Sequence, residues 1–189
     1  MENADRLREL VGQNEWLMRV LRAVRAVELP DWIVGSGAIR NLVWDELHGF
    51  TTPTPLNDVD VAFFDPSDVS RERDAAIESR LSELLPGVPW EVTNQAGVHL
   101  WYEAKFGIPI PAVTSTRDAL GLWPETATAV GVRLERDDAL TVVAPLGLDD
   151  LFGLVFRRNP AQMTRAIFLE RLTGKKIRER WPKVTVVDD

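Results

Sequence analysis

The sequence predicts an α/β (α+β) fold, in which a small mixed sheet carries packed helices and a helical portion closes the chain. Short apolar segments alternate with amphipathic segments as far as about residue 145, and only helical patterns follow. The chain has 189 residues, of which 45% are hydrophobic, and this suits one globular domain. We expect a single domain over residues 1–189, with N-terminal helices over 1–29, a core over 30–145 and C-terminal helices over 146–183.

The first half of the chain contains the strands and helices of the predicted core. Apolar stripes of helical period predict a short helix that Gly12 interrupts and a second helix that Asn14 caps and Pro30 stops. Turn residues separate the elements that follow. In chain order these are a strand over 32–34, a helix over 36–47, an irregular loop over 48–56, a strand over 59–64, a helix over 70–85 and a strand over 90–94.

The second half begins with a helix over 98–106 that stops at Gly107, and two prolines then mark a linker. Ser115 is placed to cap a short helix. Weak alternation on both sides of Asp137 and Asp138 predicts a β-hairpin. The remaining predicted elements are hairpin strands over 127–134 and 140–144 and closing helices over 149–156 and 161–172.

Charge is distributed unevenly along the chain. The net charge of -7 argues against a general nucleic-acid binder. The basic segment 157–183 nonetheless holds nine Lys and Arg residues and only two Asp and Glu residues. Two interpretations of this basic segment remain open. It is a solvated helical face attracted to the acidic body, or it contacts the phosphates of a nucleoside triphosphate (NTP) or of an RNA end.

Composition also restricts the compartment and the chemistry. The chain has no cysteine, which excludes disulfides and thiolate metal sites. No apolar run is long enough to span a bilayer, and the N-terminus lacks the layout of a signal peptide. We therefore expect a cytoplasmic protein without a membrane partner.

The most informative stretch joins a turn of small residues to a pair of carboxylates. Gly35 and Ser36 lie where a predicted strand turns into a helix, and a helix N-terminus of this kind can hold phosphate. Asp58 and Asp60 lie one residue apart on a strand, so their side chains share one face. Neighbouring carboxylates repel each other unless a cation lies between them. Together these patterns predict a site for a metal-bound NTP, although a tight strand-to-helix connection by itself also accounts for the turn.

Longer stretches of the chain resemble known proteins. The Val-Gly-Ser turn over 34–36, followed by Asp-Val-Asp-Val over 58–61, resembles the signature of the nucleotidyltransferase superfamily related to DNA polymerase beta. The chain is also similar, over most of its length, to a bacterial family of small, largely uncharacterised nucleotidyltransferase-like proteins. The stretches that carry this second resemblance are GSGAIRNLVWDELHG (35–49), WEVTNQAGVHLW (90–101) and WPETATAVGV (123–132). The resemblance implies a polymerase beta-like nucleotidyltransferase fold.

The resemblance also implies roles for three carboxylates. Glu91, flanked by Trp90 and Val92, matches the third acidic element of the superfamily signature. With Asp58 and Asp60 it would hold Mg²⁺, for which Mn²⁺ can substitute. In the superfamily this third carboxylate lies beside the metal that activates the acceptor, so Glu91 would be a metal ligand or the base for the incoming hydroxyl. The alternative is an exposed glutamate on an edge strand.

Residues next to the Gly-Ser turn are candidates for nucleotide binding. Gly35 and Ser36 would hold the β- and γ-phosphates, and Arg40 and Asn41 lie one turn into the following helix. For Arg40 two interpretations remain open. It reaches phosphate, or it pairs with an acid such as Asp45 on the surface.

Polar residues after the third strand are candidates for contact with ribose, base or acceptor. These residues are Asn94, Gln95 and His99. Alternatively, Asn94 and Gln95 cap the next helix and His99 is a satisfied buried histidine. Most of the seven tryptophans are expected in the core, and Trp44 and Trp101 are the two expected near the cleft.

Two features depart from the resembled families. Gly97 stands where relatives usually have Arg, which puts one phosphate contact in question. The segment 37–57 between the turn and the paired aspartates is longer than in the general superfamily pattern, and we expect it to shape the cleft.

The expected function is Mg²⁺-dependent transfer of a nucleoside monophosphate from an NTP to an acceptor, with release of pyrophosphate. The acceptor is left open between a small molecule, a protein and an RNA end, and the oligomeric state is also open. The competing class is a non-catalytic nucleotide-binding or interaction protein that keeps the fold, which Gly97 favours. A metal-dependent glycosyltransferase is a third class, and the short chain opposes it.

Overall fold

A five-stranded mixed sheet forms the centre of the protein in a computed structural model that describes residues 2–160 and 163–188. The strands are β1 (Ile33–Gly35), β2 (Val59–Phe63), β3 (Trp90–Asn94), β4 (Gly131–Leu134) and β5 (Leu140–Val143). Their order is β3-β2-β1-β4-β5. Strand β1 is antiparallel to both neighbours, β2 is parallel to β3, and β4 is antiparallel to β5. The predicted α/β class with a small mixed sheet is confirmed.

Helices pack around this sheet. They are α1 (Asn3–Gln13), α2 (Glu15–Ala26), α3 (Gly37–His48), α4 (Arg71–Leu84), α5 (Tyr102–Phe106), α6 (Thr116–Gly121), α7 (Asp149–Phe152), α8 (Arg165–Gly174) and α9 (Ile177–Arg180), with 3₁₀ helices at Gln95–Leu100 and Thr126–Thr128. The side chains of Asn14 and Ser115 accept backbone N–H bonds at the starts of α2 and α6, as their positions in the sequence predict. Within the described residues, no helix combines the length and the apolar character needed to cross a membrane.

The C-terminal portion is not purely helical, and here the prediction is wrong. The helix predicted over 149–156 ends at Phe152, because Leu154 adopts a φ of 55° that an α-helix does not contain. The chain then forms strand β6 (Val155–Arg157), which pairs in parallel with the unpredicted strand β7 (Thr185–Val187). The first two residues of the helix predicted over 161–172 lie outside the described part of the chain. The rest of this predicted helix overlaps α8, which begins at Arg165.

The helix predicted over 98–106 is also divided in the structure. The 3₁₀ helix Gln95–Leu100 precedes Trp101, and α5 begins only at Tyr102. The side chain of Asn94 accepts a hydrogen bond from the N–H of Ala96 and starts the 3₁₀ helix there. This early cap shifts the start of helical structure towards the end of β3.

The two faces of the sheet have different surroundings. Val34, Val61 and Val132 are paired across β1, β2 and β4 and belong to the main core, which lies against α1, α2 and α3. Ile33 and Ala62 point to the other face and pack with residues of α6 and its surroundings. Because side chains alternate along β2, Asp60 shares this second face with Ala62. The second face therefore carries the predicted site.

Strand β3, which carries Glu91, is an edge strand whose outward N–H groups are occupied. Glu78 Oε1 accepts from the N–H of Val92 at 2.9 Å, and the carboxylate of Asp74 accepts from the N–H of Asn94 at 3.3 Å. Both acids lie on α4. Side chains of α4 thus cover the edge of the sheet, which opposes pairing with another strand and fixes β3 beside β2.

We predict that Gly35→Ala destabilises the fold. An added Cβ would lie 2.7 Å from the carbonyl oxygen of Val130, which is backbone and cannot turn aside as a side chain can. The free energy of unfolding in urea should fall by about 1–3 kcal/mol. The control is Gly12→Ala, on an open face of α1, which should raise that free energy by up to ~1 kcal/mol. Stabilisation by both substitutions would refute the close approach of β1 to Val130.

Candidate functional site

Asp58 and Asp60 lie together at the start of β2, beside the end of β1. Burial raises the pKa of Asp60 from its ordinary 3.8 to about 7, and the negative charge of Asp58 is the second largest cause of this shift. The neighbouring Ser36 hydroxyl opposes this shift by hydrogen bonding, and the negative charge of Glu91 adds to it. The structure thus brings the two predicted aspartates together with the predicted Gly-Ser turn.

Glu91 stands beside this pair on the same face of the sheet. It is the register partner of Asp60 in the parallel β2–β3 pair, and register partners point to one face. The Glu91 side chain is exposed and lines a groove of about 280 Å³ that also contains Arg71, Trp101 and Lys105. Among the described residues, no three His, Asp or Glu side chains form a cluster that could hold a metal ion. The site is therefore a pair of aspartates with a neighbouring glutamate.

Ser36 connects the aspartates to the N-terminus of α3. Its φ of 54° and ψ of -124° are rare for a residue with a side chain. The hydroxyl does not cap α3, and it lies beside Asp60 instead. The start of α3 lies close to Asp58, since a Cβ added to Gly37 would be 3.9 Å from Oδ1 of Asp58. A strained backbone that joins free helix N–H groups to two carboxylates is typical of a functional site.

Arg40 lies in α3 behind this turn, and it is buried. Only 4% of the residue is exposed, and its guanidinium carbon is 5.2 Å from the Trp44 ring and 4.8 Å from the Trp181 ring. Nε donates to Oδ1 of Asn41 at 2.9 Å, but Nη1 has no hydrogen-bond partner among the described residues. Burial lowers the pKa of Arg40 to about 10, so it is charged at neutral pH. An unsatisfied buried cation is unfavourable, and the burial of Arg40 opposes a surface ion pair, while its phosphate contact stays a prediction.

Asn41 and Asp45 have structural roles. The Asn41 side chain orients Arg40 and also donates to the carbonyl of Thr54 at 3.5 Å. Asp45 accepts from the N–H and hydroxyl of Thr54 and from the indole N–H of Trp181. The alternative Arg40–Asp45 ion pair is therefore not formed. Asn41 faces the loop after α3 and orients Arg40, and its predicted nucleotide contact stays a prediction.

Asn94 has a structural role and also lines the groove beside Glu91, whereas Trp44 lies in the core, contrary to its predicted place near the cleft. The Asn94 side chain accepts from the N–H groups of Asp65 and Ala96 and donates to the carbonyls of Asp65 and Asp68. These bonds use its hydrogen-bonding capacity and support the capping interpretation. Trp44 is fully buried, and its indole N–H donates to a backbone carbonyl of α7.

An ion pair between Glu125 of the core and Arg171 of the C-terminal portion lies near the aspartates. Glu125 is completely buried, and Arg171 of α8 binds it through Nε–Oε1 at 2.5 Å and Nη2–Oε2 at 3.2 Å. The Thr128 hydroxyl donates to the same carboxylate at 3.0 Å. Burial lowers the pKa of Arg171, but the charge and hydrogen bonds of Glu125 outweigh burial and raise it. The charge of Asp60 also acts on Arg171, which is held next to the paired acids.

Two more cations of the basic segment lie near the site. The positive charge of Lys175 lowers the pKa of Asp60, and that of Arg180 lowers the pKa of Arg40. The basic segment is therefore not only a solvated face. The charge pattern of the sequence indicates the segment but not these residues individually. The available signal was the spacing of Arg171 and Lys175, which at i and i+4 lie on one side of a helix.

A cavity of about 190 Å³ extends from Ser36 and Asp60 along the second face of the sheet. Gln95 and His99 line it, as do Trp101 and Arg171. The structure thus brings two of the three polar residues predicted after β3 next to the aspartates. Nδ1 of His99 is buried and lacks a hydrogen-bond partner among the described residues, so the interpretation of a satisfied histidine is wrong.

Gly97 packs tightly against Val69. A Cβ on Gly97 would lie 3.0 Å from Cβ of Val69, which leaves little room for a side chain. The groove next to Gly97 contains other cations, because Arg71 and Lys105 lie 5.0 Å and 5.5 Å from the ring of Trp101. Gly97 is therefore a packing feature and does not by itself remove positive charge from this region.

The chain is similar to nucleotidyltransferases in sequence and in fold. The sequence profile of a family described as nucleotidyltransferase matches residues 22–186. No curated protein matches the chain. A protein whose NMR structure reveals a CCA-adding enzyme head domain is 27% identical, with a TM-score of 0.83 over 100% of this chain and 98% of that chain.

Larger enzymes share the fold at lower identity. A CCA-adding enzyme in complex with CTP is 14% identical with a TM-score of 0.56, and the Thermotoga maritima CCA-adding enzyme in complex with tRNA is 15% identical with a TM-score of 0.54. Each alignment covers 98% of this chain but only 43% and 42% of those chains. This chain spans less than half of their length, and the likeness concerns the fold alone.

We predict that Asp60→Asn stabilises the free protein at pH 8 but not at pH 4. The pKa of Asp60 is about 7 in the folded protein, so between pH 4 and 7 the folded state binds more protons than the unfolded chain. Stability from this group therefore falls as pH rises through that window. A neutral amide removes the penalty, and urea unfolding should show a gain of about 1–3 kcal/mol at pH 8.

The control for this comparison is Asp137→Asn. Asp137 is exposed and accepts the N–H of Ala139, which an asparagine can also do. Its substitution should have the same small effect at both pH values. An equal effect of Asp60→Asn at pH 4 and pH 8 would contradict the raised pKa of Asp60.

Proposed function

Because this chain belongs to the nucleotidyltransferase family, we propose that it transfers a nucleoside monophosphate from an NTP to an acceptor, with Mg²⁺ as cofactor. One observation carries the proposal. Charges of both signs lie next to each other at the start of α3, and Asp58, Asp60 and Arg40 form no ion pair among the described residues. A metal-bound triphosphate supplies a cation to the acids and an anion to the arginine at the same time.

The residues fit Mg²⁺ in kind and number. Mg²⁺ is usually bound by one or two carboxylates together with substrate phosphates and water, and Asp58 and Asp60 provide two carboxylates with a mutual repulsion that a cation removes. When bound, the metal neutralises phosphate charge and polarises the phosphorus that is attacked. The N–H groups at the start of α3 and the Ser36 hydroxyl hold phosphate oxygens, and Arg40, Arg171 and Lys175 balance their charge.

The proposed reaction is a displacement at the α-phosphorus. An acceptor hydroxyl forms the new bond to phosphorus, the bond from phosphorus to the oxygen that bridges the α- and β-phosphates breaks, and pyrophosphate leaves. Glu91 is exposed beside Asp60 and accepts the proton of the hydroxyl. Most of the acceleration comes from positioning and from charge already in place.

Structures with the same fold support an NTP as the donor. CCA-adding enzymes are known in complexes with CTP, with ATP and with tRNA. The acceptor is a small molecule, a protein or an RNA end, and we expect its hydroxyl to approach Glu91 through the groove. The net charge of -7 argues against long contacts with nucleic acid.

The test is a thermal-shift experiment with the four NTPs, each with and without Mg²⁺. In the presence of Mg²⁺, an NTP at a concentration of ~100 times its Kd should stabilise the protein by about 2.7 kcal/mol. Without Mg²⁺ the shift should be much smaller, because triphosphate and carboxylates repel each other. Ser36→Asp should erase most of the shift by placing negative charge against the phosphates.

The matched control is Ser82→Asp, on the exposed side of α4. It adds the same charge on a helix that contributes no residue to the cavity at Ser36, and it should leave the NTP shift unchanged. If no NTP at millimolar concentration gives a Mg²⁺-dependent shift with the wild type, the enzymatic proposal fails and the non-catalytic alternative becomes the better one.

A further inference from the structure

The cavity next to Asp60 is separate from the groove that Glu91 lines. The cavity, about 190 Å³ in volume, begins at Ser36 and Asp60 and is covered by the 3₁₀ helix Gln95–Leu100 and by the segment around Trp123. The groove, about 280 Å³, lies between α4 and α5. Trp101 and Thr93 line both spaces, so the indole of Trp101 stands at their boundary.

The position of the cavity favours a role in binding the donor nucleotide. Ser36 and Arg171 line the cavity but not the groove, and both belong to the proposed triphosphate site. Glu91, the proposed acceptor base, lines the groove but not the cavity. A nucleotide whose phosphates lie at Ser36 can extend its remaining part into the cavity, whereas an acceptor hydroxyl reaches Glu91 from the groove.

The walls of the cavity suit a flat ring. Val98, Ile110, Val113 and Leu122 supply apolar surface, and the ring of Trp123 packs close to the sheet, 3.2 Å from where a Cβ on Gly35 would be. The volume is below the range of typical ligand sites, so one ring system fits and a nucleic-acid strand does not. Apolar and aromatic side chains pack against the flat face of an uncharged ring.

The polar side chains of the cavity suit the edge of a heterocycle. Gln95 is 93% buried, because only 7% of the residue is exposed. Its Nε2 donates to the carbonyl of Thr93 at 3.2 Å. Nδ1 of His99, which also lines the cavity, has no hydrogen-bond partner among the described residues. A carboxamide and an imidazole can each donate or accept, as the edges of nucleobases require.

We infer that this cavity binds the nucleobase of the donor NTP, and that Gln95 and His99 select between bases through hydrogen bonds to the ring edge. The inference rests on the proposed function and deepens it, because it places the donor base on one side of Trp101 and the acceptor on the other. Burial of unsatisfied polar groups makes such a site discriminate against bases that cannot bond to them.

The test compares NTPs with inorganic tripolyphosphate by calorimetric titration in Mg²⁺. The wild type should bind at least one NTP about tenfold or more tightly than tripolyphosphate, and the four NTPs should differ. Val113→Trp fills the cavity from an irregular segment and should reduce every NTP to the affinity of tripolyphosphate. Gln95→Leu should change the order of preference among the four NTPs and leave tripolyphosphate unaffected.

Gln13→Leu, on the exposed side of α1, is the matched control and should change neither affinity nor preference. If the four NTPs and tripolyphosphate bind equally, or if both cavity variants keep the wild-type preferences, the inference is overturned while the proposed function stands. If neither NTPs nor tripolyphosphate bind in Mg²⁺, the proposed function fails and the inference fails with it.

Discussion

The tight turn at Gly35 and Ser36 is the constraint on which the rest of the site depends. Gly35 packs so closely against the carbonyl of Val130 that no side chain fits, and the chain then turns through the positive φ of Ser36. This turn directs the start of α3 and the Ser36 hydroxyl towards Asp58 and Asp60. Backbone strain is retained here because the surrounding packing fixes the conformation.

Charge is the second feature that organises the site. Burial and mutual repulsion raise the pKa of Asp60. Nη1 of the buried Arg40 has no hydrogen-bond partner among the described residues, and Arg171 is held in place by Glu125. In the described part of the chain these charges are only partly balanced by one another. We propose that a metal ion and a triphosphate neutralise the remaining charges. The unneutralised charges of the free protein therefore reduce its stability at the site that binds them.

Local patterns predicted the α/β class, the central strands and the site face, since the spacing of Asp58 and Asp60 and the Gly-Ser turn are local features. The sequence did not predict β6 and β7, because the helical pattern over 149–156 covers the start of β6, Leu154 gave no sign of its positive φ, and the two strands meet only in the fold. Nor did it identify Arg171 and Glu125, which are 46 residues apart and meet only in the fold. Asn94 and Asn41 carried polar patterns like those of binding residues but serve the backbone and Arg40.

The affinity for ATP at pH 6 and pH 8, each with and without Mg²⁺, tests the account of unbalanced charge most directly. At pH 6 Asp60 is mostly protonated, because its pKa is about 7, so metal-free ATP should bind better at pH 6 than at pH 8. With Mg²⁺ the order should reverse, because the ionised pair binds the cation better at pH 8. The predicted result is this reversal. The same direction of pH dependence with and without Mg²⁺ would contradict it.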